Sequence, residues 1–245
     1  MTASRTQEPT VVLVHGAWAD GSSWQRVIPI LLDKGLSVVA VQNPTSSLSD
    51  DVAATTLALN AISGPVVLVG HSWGGAVITQ AGTDPKVKAL VFVAAFAPAA
   101  GETVGELVGK YPNPPALAKI TDDGNGNLKL SAAGWIEDVG HDLPETEARV
   151  LAVLQPPLPA ATFGEKVTQA AWETRPNWYI VSGDDRVVSV DLQREFADRM
   201  KAISSELRAG HLSLLSQPQA VADVIIQAVE QVAQAEIPAW RDGGG

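Results

Sequence analysis

Short apolar runs rich in Val, Leu and Ala recur along this chain, and segments with helical spacing separate them. The first run is Val11-Val12-Leu13-Val14, after which Ser22 or Ser23 can cap a helix that reaches Lys34, just before Gly35. Ser37 to Gln42 reads as a second strand, followed by a helix running from a cap at Asp50 or Asp51 to about Ala61. Val66 to Gly70 and Ala89 to Ala94 read as strands on either side of a helix from Trp73 to Ala81. Further on, Trp178 to Ser182 is a strand, Asp191 to Lys201 a helix, Ser205 to Arg208 a short strand and Gln219 to Gln234 a closing helix. That last helix has Val221, Val224, Ile225, Ala228 and Val232 at spacings suited to one buried face. Strands apolar on both faces, alternating with helices, predict an α/β architecture with a parallel sheet covered on each side.

The alternation lapses between Pro98 and Ala171. Tyr111-Pro112-Asn113-Pro114-Pro115, the stretch from Asp122 to Asn127, and Gln155-Pro156-Pro157-Leu158-Pro159 interrupt any regular pattern. Structureless loops of that length are uncommon inside compact domains. Residues 98–171 are therefore expected to form an inserted cap with short helices, Glu145 to Leu154 being the clearest. Residues 1–97 and 172–245 then make up the core, with a frayed tail from Arg241 to Gly245.

Length and composition narrow the options. The 245 residues suffice for one such domain, and 46% hydrophobic with 18% charged residues fits a globular chain. The net charge of −10, with Lys and Arg scattered, argues against nucleic acid or an anionic membrane as partner. With no cysteine, disulfides, zinc–thiolate sites and cysteine nucleophiles are all excluded. The polar N-terminal stretch has no secretory apolar region, and no run approaches the ~20 apolar residues of a membrane span, so a cytoplasmic location is expected.

The chemistry centres on VVLVGHSWGGAV, residues 66 to 77. Here a strand meets a helix through G-x-S-x-G, the context in which a serine on a tight turn acts as a nucleophile. Gly70 and Gly74 allow strand and helix to pass closely, and the turn sets the next amide at a helix N-terminus, where negative charge is favoured. Ser72 then needs a base. Of four histidines, His71 is expected to project from the opposite side of the turn, His15 to fix the loop after the first strand, and His141 to lie on the cap surface. His211, in a loop at the carboxyl edge of the sheet, remains, matching the Ser, acid, His chain order that accompanies this motif. The acid belongs in Ser182-Gly183-Asp184-Asp185-Arg186, which offers two aspartates that spacing alone does not separate. Oxyanion donors are expected in the backbone amides of Trp73 and Ala17. Trp18, Phe96 and Leu212, with Trp135, Leu143, Phe163 and Trp172 from the cap, are candidates for an apolar substrate pocket.

VLVHGAWADGSSWQRVIPILLDKG, VVLVGHSWGGAV, NWYIVSGDDRVVSVDLQREFADRM and AGHLSLLSQPQAVADVI together resemble α/β-hydrolases of the hydroxynitrile lyase and salicylate methylesterase-like group, in its bacterial esterase-like branch. The resemblance spans almost the whole chain and implies an α/β-hydrolase fold needing no metal or cofactor. It assigns the acid to Asp185, the aspartate directly before a basic residue. Lyases of the group carry a lysine after the catalytic histidine and tend to carry a threonine after the first strand; this chain has Leu212 and Gly16. Both differences favour a hydrolase, and with the apolar pocket candidates the expected activity is that of a serine carboxylesterase acting on small to medium, largely uncharged esters. Trp73 departs from the plant relatives, which have a smaller residue there. The alternatives are a hydroxynitrile lyase, a lactonase or perhydrolase, and a non-catalytic small-ligand receptor. The expected partner is a small-molecule ester, with a homodimer left open.

Overall fold

The computed structural model describes residues 8–235. In chain order the elements are β1 (Thr10–Val14), α1 (Val27–Asp33), β2 (Val38–Val41), α2 (Leu48–Asn60), β3 (Val66–His71), α3 (Gly74–Ala81) and β4 (Val87–Val93). An insertion follows, holding α4 (Val104–Val108), β5 (Ile120–Asp122), β6 (Asn127–Leu130), α5 (Ala132–Gly134), α6 (Glu145–Leu154) and β7 (Leu158–Pro159). The main alternation then resumes with β8 (Asn177–Ser182), α7 (Val190–Met200), β9 (Ile203–Leu207), α8 (Ser213–Ser216) and α9 (Pro218–Ala235).

Six strands form one parallel sheet in the order β2-β1-β3-β4-β8-β9. Period-two alternation sends Val11, Leu13, Val67, Val69, Val91 and Ile180 to one face, where they meet Leu31 of α1 and Val221, Ile225, Ala228 and Val232 of α9. It sends Val12, Val14, Leu68, Leu90, Phe92 and Tyr179 to the other, against Leu59 of α2, Ile78 of α3 and Phe196 of α7. Both faces are covered, as continuous apolar strands require. The order reverses between β1 and β3: the chain leaves β1 toward β2, then crosses back to β3. At such a switch point the loops leaving the two strands diverge and open a crevice beyond their carboxyl ends.

Several boundaries differ from the sequence expectation for local reasons. Ser22 and Ser23 do not cap a continuous helix. Asp20 caps a 3-10 turn over Gly21–Trp24 by accepting from the Ser22 amide, and α1 starts only at Val27. Helix α2 begins at Leu48 because Ser47, rather than Asp50 or Asp51, is its cap, its hydroxyl accepting from the Asp50 amide. Strand β9 starts at Ile203, two residues early, because its pairing with β8 runs from Trp178 opposite Ile203 to Ser182 opposite Leu207.

The insertion holds the largest difference. It contains a three-stranded antiparallel sheet, β5-β6-β7, and a π-helical turn over Trp135–Val139. The polar stretch Asp122 to Asn127 is the β5–β6 turn, with Gly124 and Gly126 at φ of +81° and +83°. The expected fraying of Arg241 to Gly245 concerns residues outside those described. Among the described residues no helix is long and apolar enough to cross a membrane.

Candidate active site

Strand β3 ends at His71 and α3 begins at Gly74, leaving Ser72 at the apex of the turn with φ of +52°. A non-glycine residue in the left-handed region is strained and persists only where its surroundings hold it. Here the Ser72 amide donates to the Val93 carbonyl at 3.2 Å, and the Ser72 carbonyl accepts from Phe96 and Gly75, both at 3.0 Å. A Cβ on Gly70 would lie 2.6 Å from the Gly74 carbonyl oxygen, and one on Gly74 2.5 Å from that of Val14. Any side chain at either position would force strand and helix apart.

The hydroxyl so presented meets a histidine from beyond β9. Ser72 Oγ lies 3.0 Å from His211 Nε2, and His211 Nδ1 lies 2.8 Å from Asp185 Oδ2. Because a carboxylate only accepts, Nδ1 carries the proton and Nε2 is left to accept from Ser72. Asp185 is held in turn. Its Oδ1 accepts from the amides of Val187 (2.7 Å) and Val188 (3.0 Å), and its Oδ2 also accepts from Gln193 Nε2 (2.8 Å). The two candidate aspartates are thus separated by geometry, Asp185 buried against the imidazole and Asp184 exposed.

The other histidines serve the scaffold. Contrary to the sequence expectation, His71 does not point away: its ring packs 4.7 Å from that of His211, and its Nε2–H donates to the His211 carbonyl at 2.9 Å. Burial, then the neighbouring His211, hold its pKa well below the usual imidazole value, so it stays neutral. His15 accepts the Asn43 amide at Nε2 (3.0 Å), which leaves Nδ1–H to donate to the Gly16 carbonyl (2.9 Å); burial lowers its pKa too. His141 is half-buried, its Nδ1 3.0 Å from the Asp138 carbonyl. Its neighbour Asp142 accepts the Gly210 amide at 2.7 Å, a contact from the insertion to the His211 loop that the sequence did not signal.

Beside Ser72 lies a cavity of about 160 Å³, and Ala17 and Trp73, whose backbone amides are the expected oxyanion donors, are among the residues that line it. Neither amide donates to another group among the described residues. Of the residues expected around a pocket, Trp18, Phe96 and Phe163 line it. Phe163 stands edge-on to Trp18 (5.8 Å between centroids) and to Trp73 (5.5 Å). Both indole N–H groups point elsewhere, Trp18 to the Leu128 carbonyl and Trp73 to Asp51 Oδ2. Among the described residues, the polar side chains at the cavity thus reduce to the Ser72 hydroxyl.

Four expected pocket residues do not line the cavity. Trp135 and Leu143 pack into the apolar cluster shared with the insertion, and Leu212 is buried in it with Leu214 and Leu215. Trp172 donates to the Pro98 carbonyl with its ring under the Arg199 guanidinium. In their place stand aliphatic residues such as Val104, Leu117, Ile120 and Leu128, which belong to short elements of the insertion that no periodic pattern marks. Among the described residues no group of three or more His, Asp or Glu is arranged to hold a metal ion.

Comparison with known proteins finds relatives that cover most of the chain. The probable hydrolase R7 of Phoma sp. is 28% identical over 242 residues, covering 90% of this chain and 98% of that protein. The α-hydroxynitrile lyase of Arabidopsis thaliana is 25% identical, covering 86% of this chain and 93% of that one. In three dimensions, the pyrethroid hydrolase of Sphingobium faniae superposes with a TM-score of 0.77 at 23% identity, over 92% of this chain and 99% of that structure, a likeness of fold. Residues 11–224 match the model of the alpha/beta hydrolase family. Since the matched span runs from β1 into α9 and takes in the sheet, the serine turn and the His211 loop, the chain belongs to the alpha/beta hydrolase family.

Proposed function

We propose that the protein is a serine carboxylesterase that hydrolyses small to medium, uncharged esters through an acyl-enzyme. The observation that carries this reading is the unbroken chain Ser72–His211–Asp185, at 3.0 and 2.8 Å, beside two unclaimed backbone amides. An alcohol hydrogen-bonded to an imidazole that is oriented by a buried carboxylate is the arrangement nucleophilic acyl transfer needs. The family match and the hydrolases among the relatives support the same class of reaction.

In the proposed cycle, Ser72 Oγ attacks the ester carbonyl as His211 Nε2 takes its proton. The oxyanion of the tetrahedral intermediate accepts from the Ala17 and Trp73 amides, each such donor being worth roughly 3 kcal/mol of barrier. His211 then protonates the departing alcohol, leaving the acyl group on Ser72. Water, deprotonated by His211, attacks the acyl carbonyl, and the proton returns to Ser72 as the acid leaves. An apolar cavity without a charged side chain favours an uncharged acyl or alkoxy group.

The test is hydrolysis of p-nitrophenyl butyrate by wild type and by Ser72→Ala. The variant is expected to lose at least three orders of magnitude in kcat while keeping the wild-type circular dichroism. Residual activity above a tenth of wild type would remove Ser72 as nucleophile. Similarity to the Arabidopsis lyase makes cyanohydrin cleavage the second reading. It is disfavoured because Leu212, where lyases of this group carry lysine, is buried and offers no cation to cyanide. Cyanide release from mandelonitrile without ester turnover would favour it instead.

A further inference from the structure

Asp51 is fully buried, and among the described residues its carboxylate faces no cation: the charged groups bearing on it are acids, Asp50 on its own helix and Glu165 from the insertion. Buried carboxylates are expensive and are retained where their hydrogen bonds matter. Asp51 Oδ2 accepts the Trp73 indole N–H at 2.7 Å, and Oδ1 accepts the Thr45 amide at 2.7 Å. Thr45 sits at φ of +56°, a strained conformation that the second bond helps to hold. From the same loop, Asn43 donates its side-chain amide to the Asp51 carbonyl (3.0 Å) and its backbone N–H to His15 Nε2 (3.0 Å). A continuous buried polar path therefore joins His15, two residues before Ala17, to Trp73. These are the two walls that carry the proposed oxyanion donors.

We propose that Asp51 is a positioning residue for ester hydrolysis: Oδ2 holds the Trp73 indole, and Oδ1, on the Thr45 amide, holds the loop whose Asn43 amide bonds His15 next to the Ala17 turn, so that both amides face one point beside Ser72. The proposal rests on the acyl-transfer reading above. Asp51 touches no reacting atom. It acts through Trp73, whose ring forms cavity wall while its amide is a donor. Since small displacements of catalytic donors cost rate rather than ground-state binding, the effect belongs in kcat.

The experiment is a double-mutant cycle on p-nitrophenyl butyrate hydrolysis with Asp51→Asn, Trp73→Phe and the pair, alongside Ser72→Ala. Asn supplies one acceptor oxygen for two donors, and Phe keeps the ring but removes the N–H. Each single variant is expected to lower kcat about tenfold or more, with KM within about threefold. The double variant is expected to fall no more than about twofold below the weaker single one, because both changes cut one link. A structural role alone would shift the melting temperature without this kcat-against-KM split or the coupling. Singles that keep kcat within twofold, or a double variant whose loss is the product of the two, would overturn the proposal. If Asp51→Asn does not fold, Trp73→Phe with unchanged kcat would overturn it alone. Wild-type turnover that survives Ser72→Ala would instead remove the acyl-transfer reading underneath, a separate result.

Discussion

Asp51 also makes a prediction about stability that needs no substrate. Burial first, then the two neighbouring acids, raise its carboxyl pKa from the ordinary 3.8 to about 6, against hydrogen bonds from Trp73 and Thr45 that pull it down. Folding therefore favours the protonated form. Well below pH 3.8 both states hold the proton and nothing is lost. As pH rises through 6 the unfolded chain ionises freely while the folded protein ionises against burial, and stability falls. A shift of about two units corresponds to about 3 kcal/mol over the whole window, roughly half of it between pH 5 and pH 8. Asn does not titrate, so Asp51→Asn should be free of this penalty. It loses a hydrogen bond, which is a constant offset, and gains roughly one to two kcal/mol relative to wild type between pH 5 and pH 8. Urea unfolding followed by tryptophan fluorescence measures this directly, and only the pH slope of the difference matters. A difference constant to within about 0.3 kcal/mol across that range would refute the reasoning that Asp51 is a charge held out of water.

Other consequences follow from the site. Gly74→Ala places a methyl 2.5 Å from the Val14 carbonyl, about 1 Å inside ordinary contact, so helix α3 has to move; kcat should fall about a hundredfold while the protein remains folded by circular dichroism. Asp185→Asn should cost about three to four orders of magnitude in kcat by removing the acceptor that fixes the His211 tautomer, whereas exposed Asp184→Asn should stay within twofold; both are read by steady-state kinetics. Phe163→Ala removes the ring between Trp18 and Trp73 and should raise KM for aryl esters about tenfold, with kcat changed far less, as a substrate series would show.

The centre of the sheet was legible because β1, β3, β4 and β8 are buried on both faces and show as mostly apolar runs, whereas the exposed edge strand β9, Ile203-Ser204-Ser205-Glu206-Leu207, shows none and its start was placed two residues late. Ser72 was legible because the glycines around it answer to backbone contacts that only glycine permits. The choice between Asp184 and Asp185 was not visible in spacing, since both occupy one loop and only the fold decides which carboxylate reaches His211. His71 and Asp51 were misread for related reasons. A histidine beside a strained serine and an aspartate near a helix start have local explanations, and their long-range partners, the His211 carbonyl and the Trp73 indole, are 140 and 22 residues away. The cavity wall was hardest to read. Its insertion side is built from strands of three and four residues and single helical turns, too short to show a period, so the conspicuous aromatics Trp135 and Trp172 drew attention from Val104, Ile120 and Leu128.

The central claim is that Ser72 is acylated and His211 drives the acylation. Mixing the protein with a fluorophosphonate, digesting it and locating the adduct by mass spectrometry tests this most directly. The account predicts a single phosphonylated peptide containing Ser72, formed slowly or not at all in His211→Ala and absent in Ser72→Ala. An adduct on another residue, or ester hydrolysis by a protein whose Ser72 stays unmodified, would contradict it.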